Sequence, residues 1–472
     1  MILQFMRIAR RTRRPIIHLL IGWAICVVAL SISPAALAQE NTPVALDYNA
    51  AELKFLERSD AIAAASDKVN AMQAQERSTR HLHRPDIDFE FQLLEYQKTL
   101  YLPLGSLSPL IKDYGIPDPL VFRQEMSSTR PIFSATLPIY TGGEIAAAKD
   151  GARAQVDGAR AEQNLTVEDG LHQLVSAYFG QQLAERVLGV RRDVLSGLEQ
   201  HLKDVTRMED AGLASRAQRL QAEVARDEAK REYENAIASL ATANVALAGL
   251  LRSPSGVRPL SPLSVISEPL RPVEDFKASA LATHPELMRL QAITDQADAG
   301  VRQEISKQRP QVYGFAQYNL DREDALLTDP DWMVGVGFRY KFLSGVDRKE
   351  GVASARAVAD QARAGRREAR IQIEIGVTRS WFEVEAARKN FLLLDSAIAS
   401  AKENLRLQRL AYSEQQATSL DVIDAQLGLG RARIQQTQAA YDYIVALADL
   451  LSISGKMLEM PHFLNRADRV VP

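Results

Sequence analysis

A chain of 472 residues with 46% hydrophobic and 25% charged residues is long enough for two or three ordinary domains, and a net charge of −2 leaves no basic footprint for nucleic acid. Seven histidines and a single cysteine leave little material for a metal centre or a thiol nucleophile. At the N-terminus Arg7, Arg10, Arg11, Arg13 and Arg14 lead into an apolar run from Ile16 to Ile32, and Ala36-Leu37-Ala38 before Gln39 forms an A-x-A cleavage site. This predicts a secretory signal peptide over 1–38. Cys26 falls inside it, so the mature chain is expected to have no disulfide, and the residues before Cys26 lack the small side chains of a lipidation site. No later run of 18 apolar residues is present, so no helix is expected to cross a bilayer.

From Ala45 to Arg80 the chain is rich in Ala, Glu and Gln without Pro or Gly, which predicts one helix ended by Pro85. Strict alternation follows: Ile87, Phe89, Phe91 and Leu93 share one face of a strand at about 86–96, opposite Asp86, Asp88, Glu90 and Gln92. Residues 102–125, with Pro103, Pro109, Pro117 and Pro119, read as a loop, and 131–140 as a second strand. A long helix then runs without proline from Gly142 to Gly212, which at 1.5 Å per residue spans roughly 105 Å. Its later part carries a seam of Leu188, Leu195, Leu198, Leu202 and Val205, a coiled-coil arm, and at 211–215 the chain is expected to turn and run back to Leu251.

After a Pro-rich segment at 253–272, the order repeats at an offset of 203. Ala152–Ala161 (ARAQVDGARA) matches Ala355–Ala364 (ARAVADQARA) at seven of ten positions, and Tyr178-Phe179 is echoed by Trp381-Phe382. Thr141-x-x-Glu144 and Ser344-x-x-Asp347 both read as capping boxes. The second copy, 273–455, has a helix with a weak point at His284-Pro285 and a strand at about 312–320. An acidic loop with Asp321, Glu323, Asp324, Asp329 and Asp331 leads to a strand at about 332–342, where Trp332, Val334, Val336, Phe338 and Tyr340 face one side. A second hairpin turns at 415–420. Its returning helix carries a seam from Leu420 and Ile423 to Leu451, and residues 456–472 form a tail.

Strands of 9–11 residues with one apolar face suit a tilted crossing of an outer-membrane-type bilayer. Four strands cannot close a barrel, and open edges in lipid would leave backbone groups unpaired, so several copies are expected to share one barrel joined to helices of roughly 100 Å. The fold class expected is therefore mostly α with a membrane β-barrel.

At Leu137-Pro138-Ile139-Tyr140-Thr141-Gly142-Gly143, its echo Tyr340 to Gly345, the turn 211–215, the second-turn run Ser419 to Gln426 and His284-Pro285-Glu286-Leu287, the chain resembles the TolC-like outer-membrane efflux protein family over nearly all of its mature length. The resemblance implies a homotrimer with a 12-strand barrel and a periplasmic tunnel, an exit duct in the outer membrane. It would serve a periplasmic adaptor and an inner-membrane pump of RND, ABC or MFS type, in efflux or type I secretion. Gln415 stands where the family usually has glycine. Gly212, Leu213, Ser215, Thr418 and Ser419 end the two arms and are expected to meet the adaptor. Asp421 and Asp424, three apart on one helix face, would form stacked carboxylate rings in a trimer, raising some of their pKa values. By resemblance they and Tyr412 line the periplasmic constriction. His81-x-His83 lacks a third ligand, and no phosphate loop or nucleophile elbow is present, so neither metal, cofactor nor enzymatic activity is expected. The alternative is a periplasmic coiled-coil adaptor without a channel, against which four bilayer-length strands and two hairpins argue.

Overall fold

The structure, a computed structural model, describes residues 43–321 and 330–471, apart from the side chains of Met126 and Ser128. The signal peptide, Cys26 and the acidic-loop residues Glu323, Asp324 and Asp329 lie outside the described residues. A short strand, β1 (Val44–Leu46), precedes α1 (Tyr48–Arg58) and α2 (Asp60–Thr79). The single helix expected over 45–80 is thus two. Ser59, extended at ψ 117°, ends α1, and its hydroxyl accepts from the Ile62 amide to cap α2.

β2 (Asp86–Leu102) and β3 (Leu120–Tyr140) pair without interruption from Asp86↔Thr136 to Leu102↔Leu120. Both outrun the strands expected at 86–96 and 131–140, and the loop expected at 102–125 shrinks to 103–119, which holds the short helix α3 (Ser108–Ile111). The reason is local: no proline falls between Leu120 and Arg130, and Phe122 and Val121 pair with Leu100 and Tyr101, β-prone residues that extend the ladder.

α4 (Glu144–Asp210) has 67 residues, about 100 Å, and returns as α5 (Arg216–Leu250). The linker carries β4 (Val257–Pro259) and β5 (Ser264–Val265). Then come α6 (Val273–Thr283) and α7 (Pro285–Ser306), divided where His284 caps α7 through Nδ1, followed by β6 (Gln311–Asn319) and β7 (Trp332–Arg339). α8 (Arg348–Ser413), 66 residues, returns as α9 (Ser419–Ile453), and the tail forms α10 (Met460–Asn465) and β8 (Arg469–Val470).

The sheet order is β2-β3-β6-β7, antiparallel throughout. α2 leads into β2, β3 into α4, α7 into β6 and β7 into α8, and the helices pack in that same order. Away from the sheet the hairpins α4/α5 and α8/α9 meet mainly through α4 and α9. The α9 seam is therefore covered by two helices, α8 and α4, and along it Ile423, Ile444, Ala448 and Leu451 are buried.

The largest apolar core lies at mid-length. β1 pairs with β4 in parallel and β5 with β8 in antiparallel, so the start of the described chain, the Pro-rich linker and the tail converge on the long helices. Tyr178 is fully buried; its hydroxyl donates to the Leu46 carbonyl and accepts from the Leu260 and Ser261 amides, at 2.8, 3.1 and 2.9 Å. The echoed pair does something different: Trp381 donates to the Arg271 carbonyl, while Phe382 is exposed. On α8 a buried Glu385–Arg388 pair takes the Leu270 amide and the Ser267 carbonyl, fixing the linker's other half.

Candidate functional site

The register brings the expected apolar positions onto one face of the sheet. Phe89 stands opposite Phe133, ring centroids 5.0 Å apart, Phe133 opposite Tyr318, and Tyr318 opposite Trp332. Along that face Ile87, Phe89, Phe91, Leu93, Trp332, Val334, Val336 and Phe338 are all exposed, each by more than half of its surface. An exposed apolar patch of this extent marks a contact with lipid or another apolar partner. Tyr340 was expected inside the last strand, but β7 stops at Arg339. Its ladder partner β6 begins at Gln311, directly after Pro310, which has no N–H to extend the pairing. Tyr340 instead packs its ring edge-on against Phe342.

The opposite face carries Ser134, Thr136, Gln317, Gly335, Gly337 and Arg339. There the rings of Tyr313 and Phe315 lie over the two glycines: a Cβ on Gly337 would sit 2.5 Å from Tyr313 Cζ, and one on Gly335 2.8 Å from Phe315 Cζ. Arg339 covers the Tyr313 ring at 5.1 Å.

Where the sheet hands over to the helices, the two expected capping boxes are absent. α4 starts at Glu144 after Gly142 and Gly143, both at positive φ, and Thr141 reaches only the Ile145 amide at 3.4 Å. Gly142 is required because the end of α7 crowds it: an added Cβ would meet Arg309 Cβ at 2.8 Å. In the second copy Asp347 is itself the cap of α8, accepting from the Lys349 and Glu350 amides.

Real capping boxes stand at the far ends, on the returning helices. Ser215 exchanges hydrogen bonds with Gln218, and Thr418 with Asp421, at equivalent positions of the two copies. The Asp421 carboxylate accepts from both the hydroxyl and the amide of Thr418, at 2.7 Å each, and these bonds hold its pKa below the usual carboxylate value. Within one chain the shift is thus opposite to the rise expected of a carboxylate ring. Asp424 is exposed beside it, one turn further on.

Of the expected rim, Gly212, Leu213, Ser215 and Thr418 are exposed, Leu213 by 60%. Ser419 is not: it is fully buried, with its hydroxyl 2.8 Å from His201 Nε2. Tyr412 also departs from expectation. It is 7% exposed and sits in the interhelical core with Val194, Leu198, Val205 and Val422, away from the open face that carries Asp421 and Asp424. The ring packs inward against the imidazole of His201 on α4, with centroids 5.1 Å apart.

A model of the outer membrane efflux protein family matches residues 54–251 and 278–456 of the chain. The chain belongs to the outer membrane efflux protein family. It is 25% identical over 324 residues to the outer membrane efflux protein BepC of Brucella suis, covering 67% of this chain and 69% of that one. It is 25% identical over 261 residues to protein CyaE of Bordetella pertussis, 53% of this chain and 54% of the other. Among solved structures its fold is similar to CusC, with a TM-score of 0.71 at 16% identity over 86% of this chain and 92% of that one. It is similar also to the outer membrane protein VceC of Vibrio cholerae, with a TM-score of 0.71 at 15% identity over 86% and 96%.

This efflux protein is an outer-membrane exit duct that spans the outer membrane and the periplasm, and its family works with adaptor and inner-membrane pump components in tripartite systems. Its relatives are channels and not enzymes. Among the described residues no helix is long and apolar enough to cross a membrane.

Sequence reasoning missed the contacts that close the two hairpins of the duct on each other. Gln426 of α9 lies on Gly197 of α4, while Val194 of α4 lies on Gly430 of α9, each glycine leaving room for one side chain from the opposite helix. Arg409 of α8 donates to Gln426 at 2.6 Å. Glycines at 197 and 430 inside long helices were the available signal, since a helix-interior glycine costs about 1 kcal/mol and marks close packing.

Proposed function

We propose that three copies of the chain share one 12-strand barrel and one periplasmic tunnel, dividing as a signal peptide (1–38), two repeats (39–252 and 273–455), the linker 253–272 between them and the tail 456–472. The observation that carries this is the open sheet: β2 and β7 have no outer neighbour within the described chain, while one sheet face is apolar from Ile87 to Leu93 on β2 and from Trp332 to Phe338 on β7. Unpaired edges in hydrocarbon cost several kcal/mol per group, and pairing β7 of one copy with β2 of the next removes them. The apolar face, including Phe89, Phe91, Trp332, Val334, Val336 and Phe338, then meets outer-membrane lipid, and the loop 103–119 and the ends of β6 and β7 at Asn319 and Trp332 face outside the cell.

The tips are the periplasmic entrance. Gly212, Leu213, Ser215 and Thr418 are the exposed rim suited to a periplasmic adaptor that serves an RND, ABC or MFS pump, and Asp421 and Asp424 line the constriction as rings that favour cations. Tyr412 braces that constriction from behind. No cofactor is involved.

The test is the detergent-extracted protein. It should migrate as a heat-sensitive oligomer with the mass of three chains and form cation-selective channels in planar bilayers. Asp421→Asn with Asp424→Asn should lose the selectivity and keep the oligomer. A water-soluble monomer would favour the adaptor reading, and unchanged selectivity would remove the aspartates from the pore.

A further inference from the structure

We propose that His201 is the clasp that holds the two hairpins together at the tip, and that its protonation loosens them, so that the duct's entrance opens as the periplasm turns acid. The proposal rests on the reading of the tips as the closing end of the tunnel.

His201 lies on α4, in the first hairpin, ten residues before its turn begins at Ala211. It is 6% exposed, its Nε2 is 2.8 Å from the hydroxyl of Ser419, and Ser419 is the first residue of α9 in the second hairpin. The contact is therefore a buried polar bridge between two arms, which further from the tip are also joined by Arg433 of α9 and Asp193 of α4. On its other side the ring meets the edge of Tyr412 of α8 at 5.1 Å, so one imidazole of α4 touches both helices of the second hairpin, α8 and α9. Ser419 is fully buried, and a buried hydroxyl left without its partner is destabilising, so the bridge matters to the closed arrangement.

The surroundings suit the neutral ring and not the charged one. The ring is 6% exposed, and burial disfavours its charged form. The Tyr412 ring meets it edge-on, and the Tyr412 hydroxyl is buried without a hydrogen-bond partner among the described residues. Beside the ring is a cavity of about 430 Å³ lined by Asp204 and Arg207 of α4 and Arg409 and Tyr412 of α8. Burial lowers the His201 pKa and outweighs Asp204 and the hydrogen bond to Ser419, which favour the charge, while Arg409 opposes it. A protonated ring is therefore better accommodated in an open, solvated tip than in the closed one, where it is buried.

The sign follows. A group whose pKa is depressed in the closed state binds fewer protons there than in an open, solvated tip, where histidine titrates near about 6.5. Closure gains from the neutral ring above that pH and loses it as pH falls through the depressed value.

The experiment uses the full-length protein in detergent or bilayers. Hydrogen exchange at residues 198–208 and 419–427, corrected for intrinsic rates, should be several-fold faster at pH 5 than at pH 7.5, and single-channel conductance should rise with it. His201→Gln, which keeps a hydrogen-bonding group without a proton to gain, should remove the acid response in both measurements. Ser419→Ala should exchange fast at both pH values, and it supplies the comparison if His201→Gln fails to assemble. Wild-type exchange that ignores pH, or an acid response that survives in both variants, overturns the clasp. An acid-loosened tip with constant conductance overturns instead the reading of the tip as the gate.

Discussion

Gln415 takes the left-handed backbone of Gly212, with φ of +60° against +75°, at the equivalent point of the second hairpin. The hydrogen bonds that impose it are duplicated. Leu213 donates to the Met208 carbonyl at 2.7 Å, and Gln416, at the matching position, donates to Ala411 at 2.8 Å. The two turns are therefore one design, and the absence of glycine at the second changes its strain and not its shape. A side chain in this region costs about 1 kcal/mol. Gln415→Gly should raise the thermal midpoint of the purified protein by the equivalent of about 1 kcal/mol and leave the fold unchanged, whereas Gln415→Pro, which demands φ near −65°, should break the turn. A Gly variant less stable than the parent would show that the Gln415 side chain itself stabilises the tip.

The reciprocal fit of Val194 on Gly430 gives a second prediction. A Cβ on Gly430 would lie 2.4 Å from Val194 Cγ2, closer than any relaxed contact. Gly430→Ala should destabilise the protein by about 1–3 kcal/mol, despite alanine's better helix propensity. Val194→Ala in the same chain should restore most of it, because the removed methyl is the one in the way. Thermal unfolding of the two single variants and the double would show this as strong coupling. Additive effects would mean that α4 and α9 do not approach so closely.

Two buried carboxyls predict an inverted pH dependence. Burial raises both Glu52 and Glu168 to about 7; Glu52 Oε2 has no hydrogen-bond partner among the described residues, and Glu168 Oε2 accepts from the Met457 amide. A raised carboxyl binds more protons in the folded chain than in the unfolded one. Its contribution is complete below about 4.3 and is lost as pH rises through about 7, up to about 3 kcal/mol for each group. Glu52→Gln and Glu168→Gln should therefore melt higher than the parent at pH 8 and converge with it near pH 5. Variants that melt lower at pH 8 would mean that these groups are charged and paired.

Much of this architecture was legible because duplication repeats each signal. The 203-residue offset announced two long hairpins, and the alternation Trp332, Val334, Val336 and Phe338 announced a one-sided strand, both periodic patterns that local physics fixes. The helix starts were misread because Thr141 and Ser344 sit in capping spacing, yet Gly142, Gly143 and Asp347 offer a tighter entry set by the neighbouring end of α7. The mid-length core could not be read at all. Tyr178 joins Leu46 to Ser261, residues far apart in the chain whose meeting depends on the whole helical packing. The tip was half legible. Asp421 and Asp424 share an exposed face as their spacing requires, but Tyr412 and Ser419 turn inward because α4, a helix from the other copy, covers them. The repeat conceals such contacts, since they join unlike positions of the two copies.

The two faces of the sheet give the last prediction. Gly337 and Val336 are adjacent on β7 and point to opposite sides, Gly337 beneath the Tyr313 ring and Val336 into the exposed apolar face. Gly337→Val forces its side chain into a ring that Arg339 covers from above, so the β6–β7 pairing must distort, and less heat-sensitive oligomer should reach the outer membrane. Tyr313→Ala should rescue it by vacating that space. Val336→Arg fails for another reason, the cost of about 2–4 kcal/mol for a charge on the lipid face near the bilayer midplane. Nothing on the opposite face can relieve that cost, so Tyr313→Ala should not rescue Val336→Arg. Counting oligomer in outer-membrane fractions of the two single variants and their Tyr313→Ala partners decides the matter. Rescue of both or of neither would mean that the two faces are not as assigned, whereas rescue of Gly337→Val alone requires one packed interior face and one lipid face on the same strand.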